Sequence, residues 1–156
     1  MKKSKKKNNL KIHFNGYFFN YEKEKIIKAS LVFSEYFKIS NNFHFNLHSV
    51  DERKSKSLNK KYFQKNNSSD VLSFPLYENI DSILELNKDH DEDLGDMFIN
   101  RQIVKKHAQI YENSFVDELQ FIIIHGLLHL IGYSHKNEKE LRKIEDKLMK
   151  MVWNES

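Results

Sequence analysis

The chain has 156 residues, the size of one domain, and is long enough to build a proper core. Hydrophobic residues make up 39% and charged residues 31%, the balance of a soluble globular chain. With 4 Gly, 1 Pro and 0 Cys, it excludes disulfide scaffolds, zinc ribbons, cysteine nucleophiles and Gly-rich low complexity.

The formal net charge of +4 is a mild lean toward polyanions, and much of the excess lies before Phe14. Lys2, Lys3, Lys5, Lys6, Lys7 and Lys11 make residues 1–9 read as a flexible, solvated basic tail. The functional alternative is an arm drawn to phosphates. Asn8, Asn9 and Lys11 interrupt any apolar stretch behind that start, so no secretory signal is expected there. A strand follows from Leu10 to Phe14, where Leu10, Ile12 and Phe14 alternate. A helix then begins at about Asn20, whose side chain suits an N-cap, with Glu22 and Glu24 in its first turn. Its apolar stripe is Ile26, Ala29, Phe33 and Phe37.

Phe43, Phe45 and Leu47 alternate with His44, Asn46 and His48, which predicts a second strand with one face buried. A helix over residues 52–63 leads into Val71-Leu72-Ser73-Phe74-Pro75, a compact strand closed by the only proline. An acidic loop spans Tyr77 to Asp93, and Leu94 to Ile99 forms the next strand. A helix from about Arg101 to Tyr111 follows. Ser114 and Asp117 then give the Ser-x-x-Asp start of another, running to about Ile131. That helix is apolar nearly all round, so it is expected to be the buried central one. Its apolar run from Phe121 to Leu130 holds two histidines and is too short to span a bilayer. The last helix, Glu138 to Trp153, carries a stripe of Leu141, Ile144 and Leu148. The expectation is one cytoplasmic α+β (mixed α/β) domain over residues 1–156. It has a mixed sheet of about four strands, about five helices and no membrane segment.

The chemistry concentrates in His125-Gly126-Leu127-Leu128-His129-Leu130-Ile131-Gly132-Tyr133-Ser134-His135. His125 and His129 are four residues apart on a helix, so both imidazoles project from one face. Gly132 lets the chain leave the helix through a left-handed residue, and His135 can swing back. Three imidazoles with a fourth position open form the arrangement of a catalytic zinc site. One histidine in an apolar helix is usually satisfied by ordinary hydrogen bonds. Two at this spacing, followed by a third beyond a helix-ending glycine, are harder to explain as packing, because each buries a polar ring.

The His-x3-His-x2-Gly-x2-His spacing is also that of metzincin proteases, which carry a Glu directly after the first His as general base. Here that position is Gly126, which weighs against peptide hydrolysis.

The motif, with Asp70-Val71-Leu72-Ser73-Phe74-Pro75, Leu94-Gly95-Asp96 and Leu58-Asn59-x-x-Tyr62 upstream, resembles the YbeY family of bacterial endoribonucleases. The resemblance implies a zinc-dependent, single-strand-specific endoribonuclease. It would act in ribosomal RNA processing, especially 16S 3′-end maturation, and in ribosome quality control. Carried over, His125, His129 and His135 are the three ligands of one Zn2+. The implied partners are ribosomal RNA and the ribosome or its small-subunit proteins, with no DNA and no membrane.

Three positions depart from the family pattern. Phe63 stands where the family has Arg, and a ring cannot replace a bidentate phosphate fork. Lys60, Lys61 and Lys65 are nearby candidates for phosphate charge, and Tyr62 for stacking on an unpaired base. Ser134 replaces an Asp, keeping an oxygen acceptor without its charge, and Ser69 replaces a Thr. Ser134 and Asp96 are the candidate residues supporting the metal ligands. Asp89, Asp91 and Asp93 hint at a calcium loop, but Gly95 falls one place late and Asn100 stands where Glu is needed. Two alternatives remain for function: a metal-bearing ribosome-associated factor with weak or no nuclease activity, and, third, a metzincin-like metalloprotease.

Overall fold

A computed structural model describes residues 9–86 and 90–154, apart from the side chain of His135. The basic positions before Asn9, and Asp89, lie outside the described residues. In chain order the elements are β1 (Lys11–Asn15), α1 (Asn20–Phe37), β2 (Phe43–Ser49), α2 (Glu52–Phe63), β3 (Val71–Pro75) and α3 (Ile80–Leu84). There follow β4 (Glu92–Ile99), α4 (Arg101–Ile110), α5 (Phe115–Leu130), a 3-10 turn (His135–Asn137) and α6 (Glu138–Asn154).

The four strands form one sheet in the order β1-β2-β4-β3. β1, β2 and β4 run parallel, and β3 returns antiparallel along β4 as an edge strand. This is the mixed α+β sheet expected from alternating strands and helices. One face buries Phe43, Phe45 and Leu47 of β2 together with Leu94, Met97 and Ile99 of β4. Against it lies α5, as its nearly continuous apolar sequence requires, with Leu119, Ile123, Ile124, Leu127, Leu128 and Leu130 fully enclosed. α1, α4 and α6 pack around α5 in turn. Ser114 caps α5 as expected, its Oγ accepting the Asp117 N–H at 3.1 Å.

Two local readings are corrected. The cap of α1 is not Asn20, which is already helical. The Phe19 N–H instead donates to Glu22 Oε1 at 2.7 Å, so an acid inside the first turn satisfies the helix start. Glu22 is only 1% exposed, and its other oxygen accepts Arg101 Nε at 2.9 Å, which explains how the charge tolerates burial. The acidic segment after Pro75 is not all loop, because it contains α3. Asn79 starts that helix by accepting the Ser82 N–H at 2.9 Å, and Ile83 anchors it in the core. Among the described residues there are therefore six α-helices, against the expectation of about five.

β4 carries an irregularity that shapes the sheet. His44 pairs with Asp93 but Asn46 pairs with Asp96, so β4 spends an additional residue over that step. Gly95 sits there at φ +128°, and a Cβ on it would lie 2.2 Å from the Phe74 carbonyl oxygen. Neither the backbone angle nor the neighbouring backbone can yield. Gly95→Ala is expected to lower the unfolding free energy by about 2–4 kcal/mol in urea titrations. Gly126→Ala meets side chains rather than backbone, the movable Met97 methyl at 2.5 Å and Val71 Cγ2 at 3.1 Å, and should lose clearly less.

Candidate metal centre and its cleft

His125 and His129 lie on the last two turns of α5, four residues apart and on one face. The Nδ1 of His129 is 2.8 Å from the Tyr133 carbonyl oxygen. A carbonyl can only accept, so that nitrogen carries the proton and Nε2 keeps a lone pair. The Nδ1 of His125 is in a close hydrogen bond with the Glu145 carboxylate, which accepts in the same way. Glu145 reaches it from α6, where it is 5% exposed. The two Nε2 atoms stand 3.0 Å apart, within hydrogen-bond distance of each other. Rings held by their outer N–H and presenting Nε2 are the donor set that metal-ligating histidines use.

The chain leaves α5 as the glycine position implies. Gly132 adopts φ +107°, and a Cβ there would fall 2.3 Å from the Glu78 carbonyl oxygen. Tyr133 N–H then donates back to Leu128 O at 3.0 Å, which delivers the Tyr133 carbonyl to His129. Burial, with the charge of Glu140 adding, pushes the Tyr133 phenol above its ordinary 10.0, so it stays protonated near the pair. Ser134 caps the 3-10 turn that begins at His135: its Oγ accepts the Lys136 N–H at 3.4 Å, and its own N–H donates to Asn137 Oδ1 at 3.0 Å. The side chain of His135 lies outside the described residues. Among the described residues, no three His, Asp or Glu side chains gather as a metal cage.

The imidazole pair forms part of the wall of a cleft of about 700 Å³. β3 runs along it, contributing Val71, Leu72, Ser73 and Pro75, and Ser73 Oγ fastens the strand to Gly126 O at 2.9 Å. Ser134 and Tyr133 close one end, and Phe63, Lys65 and Asp70 also line it. Of the residues singled out from sequence, the cleft brings together His125, His129, Ser134 and Lys65. It does not include Lys60, Lys61 or Tyr62, which stand on the exposed last turn of α2. Nor does it include Asp96, whose carboxylate accepts His48 Nε2 at 2.8 Å on the opposite face of the sheet.

Two residues here escaped sequence reasoning. Glu145 had a signal, because an acid falls on the apolar stripe of α6 between Leu141 and Leu148. Asp70 had only its place in a motif. Its Oδ1 accepts the Val71 N–H at 2.7 Å and its Oδ2 faces His107 Nδ1 at 3.1 Å. It also borders a smaller cavity of about 290 Å³ behind His125, shared with Glu145. The other histidines have ordinary neighbours: His13 stacks on His44, and His44 faces Asp91 at 3.2 Å. Asp93 bonds Asn46 and the Gly95 N–H, so these carboxylates serve the outer sheet face rather than a calcium loop.

Comparison with known proteins identifies the class: hydrolases that cleave RNA internally. The family described as Endoribonuclease YbeY matches residues 11–154, and the chain belongs to that family. An Endoribonuclease YbeY from Buchnera aphidicola is 35% identical over 93% of this chain and 90% of its own. One from Carboxydothermus hydrogenoformans is 39% identical over 66% of each. In structure, the chain resembles a Thermotoga maritima protein solved in solution, with a TM-score of 0.62 and 29% identity, covering 92% of this chain and 90% of that one.

The hydrogen bonds make the tautomers testable. Long-range ¹⁵N–¹H spectra should show both His125 and His129 protonated at Nδ1 near neutral pH. Glu145→Leu should release His125 to a mixture of tautomers and leave His129, held by a backbone carbonyl, unchanged.

Proposed function

We propose that this chain is a zinc-dependent endoribonuclease cutting single-stranded RNA in ribosomal RNA processing, including 16S 3′-end maturation, and in ribosome quality control. The observation that carries the reading is the pair of imidazole Nε2 atoms, 3.0 Å apart, on the wall of an open cleft in a YbeY-family chain. The donor set fits zinc: two neutral imidazoles with anchored outer nitrogens, and His135 beyond Gly132 as the third ligand by its place in the motif. Zinc, when bound, supplies a Lewis acid toward a phosphoryl oxygen.

The chain's own residues do the rest. Glu145 and the Tyr133 carbonyl hold the rings at their outer nitrogens, with the two Nε2 atoms facing each other. Ser134 shapes the turn that carries His135. Lys65 offers an ammonium to a phosphate inside the cleft, while Lys60 and Lys61 attract RNA from outside it. Asp96, bonded to His48 on the other sheet face, has no part in this reading of the cleft. The partners are ribosomal RNA and the small ribosomal subunit, met in the cytoplasm. No helix among the described residues is long and apolar enough to cross a membrane.

A second reading is a metal-bearing ribosome-associated factor with weak or no nuclease activity. It is favoured by Phe63, which lines the cleft where the family motif carries Arg and leaves Lys65 as the one cation lining it among the described residues. The protease reading loses further ground at Gly126. A side chain there would run into Met97 and Val71, so the general-base Glu of a metzincin has no room without displacing Met97.

Purified protein should carry about one zinc per chain by elemental analysis and cleave single-stranded RNA in preference to duplex. His129→Ala should lose the metal and slow cleavage roughly 100-fold or more. A full metal complement without cleavage would select the second reading. A metal-free native protein that cleaves as fast as its His129→Ala variant would overturn the zinc site.

A further inference from the structure

The end of α2 presents two adjacent aromatic rings to solvent, Tyr62 at 50% and Phe63 at 41% exposure. Exposing large rings side by side is unfavourable, and neither ring here is loose. Both lean on Phe74 of β3, with centroids 5.1 Å and 5.7 Å away. Phe74 is braced edge-on by Phe98 of β4 at 5.6 Å. The rings are thus supported from behind by the sheet and free in front.

The chain just past them is held with equal care. Gln64 takes the left-handed conformation at φ +52°, an uncommon one for a residue with a Cβ. Lys65 N–H donates to Asn59 O at 3.2 Å, and Asn59 Nδ2 donates to Asn67 O and Ser69 Oγ at 2.7 Å each. This sharp, tied turn sets Phe63 and Lys65 on the same cleft as His125 and His129. Lys61 lies over the Tyr62 ring at 5.2 Å.

The geometry points to a nucleobase-stacking site: an unpaired base of the RNA strand entering the cleft lies on the Phe63 ring while Lys65 takes an adjacent phosphate. This rests on the endoribonuclease reading above and names how the cleft grips its strand. A phenyl ring has no donor for a phosphate, so Phe63 cannot do the work of a guanidinium. It offers instead a flat π-face, and every base has one to match. Because stacking tolerates any base, the site selects for unpaired strand rather than for sequence. In a duplex the bases are stacked on each other and unavailable. Tyr62 beside it widens the platform, and its cation neighbour Lys61 adds to the phosphate field.

The test uses the metal-loaded protein and short single-stranded RNA containing one 2-aminopurine, read by rapid mixing before cleavage proceeds. Natural protein should quench the 2-aminopurine on binding. Phe63→Leu, which keeps apolar volume but has no ring, should weaken RNA binding roughly 5- to 100-fold and lose the quench, while Phe63→Tyr retains both. An RNA with an abasic residue at the quenched position should bind natural protein and Phe63→Leu equally weakly. Lys65→Ala should reduce the slope of log affinity against log salt by about 0.7 without removing the quench. Circular dichroism confirms that the surface variants remain folded.

Equal RNA affinity and equal quenching in natural protein and Phe63→Leu would overturn the stacking site while leaving the nuclease reading intact. The platform would then belong to a protein contact instead. Natural protein that binds no single-stranded RNA at all would overturn the nuclease reading and the stacking site together.

Discussion

Two imidazole Nε2 atoms 3.0 Å apart are the contact this molecule is built around, and much of the chain is organised to hold them there. Each ring is pinned at its far nitrogen by a different part of the chain. Glu145 arrives from α6, and the Tyr133 carbonyl from the turn that follows α5. The rings cannot turn away from each other without breaking a hydrogen bond in a half-buried place, where an unmade bond costs about 1–3 kcal/mol. α5 itself cannot shift, because its apolar surface is enclosed by the sheet on one side and by α1, α4 and α6 around it. Packing therefore holds the two Nε2 atoms together.

The same logic sets the position of β3. Ser73 fastens this edge strand to the carbonyl of Gly126, immediately after His125. Gly126 permits the approach, since any Cβ would strike Met97 and Val71. One wall of the cleft is thus an edge strand and the other is the end of a helix. The turn from Phe63 to Asp70 also lines the cleft, and carries two of this chain's departures from the family pattern, Phe63 and Ser69.

Legibility in the sequence followed from how local each signal is. Strand alternation in β2, the Ser114 start of α5 and the placing of His125 and His129 four apart on one helix are all short-range patterns, and each appears in the structure where expected. The expected left-handed exit at Gly132 is there too. Glu145 was less visible because its partner is twenty residues away, and an acid on an apolar stripe looks like imperfect amphipathicity. The Glu22 cap shows the same limit: Asn20 has the better capping side chain, but Arg101, distant in sequence, decides that Glu22 folds inward. α3 was missed because five residues give periodicity too little length, and one buried Ile83 carries the whole signal. Asp96 was read from its motif, yet the face it occupies depends on strand register, which no local pattern states.

That register depends on the irregularity at Gly95. Along β4 the buried hydrophobic side chains are Leu94, Met97 and Ile99, a spacing of three and then two, which breaks the strict alternation of a strand. The additional residue is a frameshift in the side-chain parity of the strand. Before it, an even-numbered residue, Leu94, faces the core; after it, odd-numbered residues do. Were the same residues paired in strict alternation from Leu94, with none spent on the irregularity, Met97 and Ile99 would turn outward and Asp96 and Phe98 would come against α5. The acid would then meet the sheet-facing side of the histidine helix, and Phe98 would no longer brace Phe74. The Leu-Gly-Asp segment, far from the imidazoles in chemistry, thus determines which strand face the histidine helix meets and which face supports the aromatic rings at the mouth of the cleft.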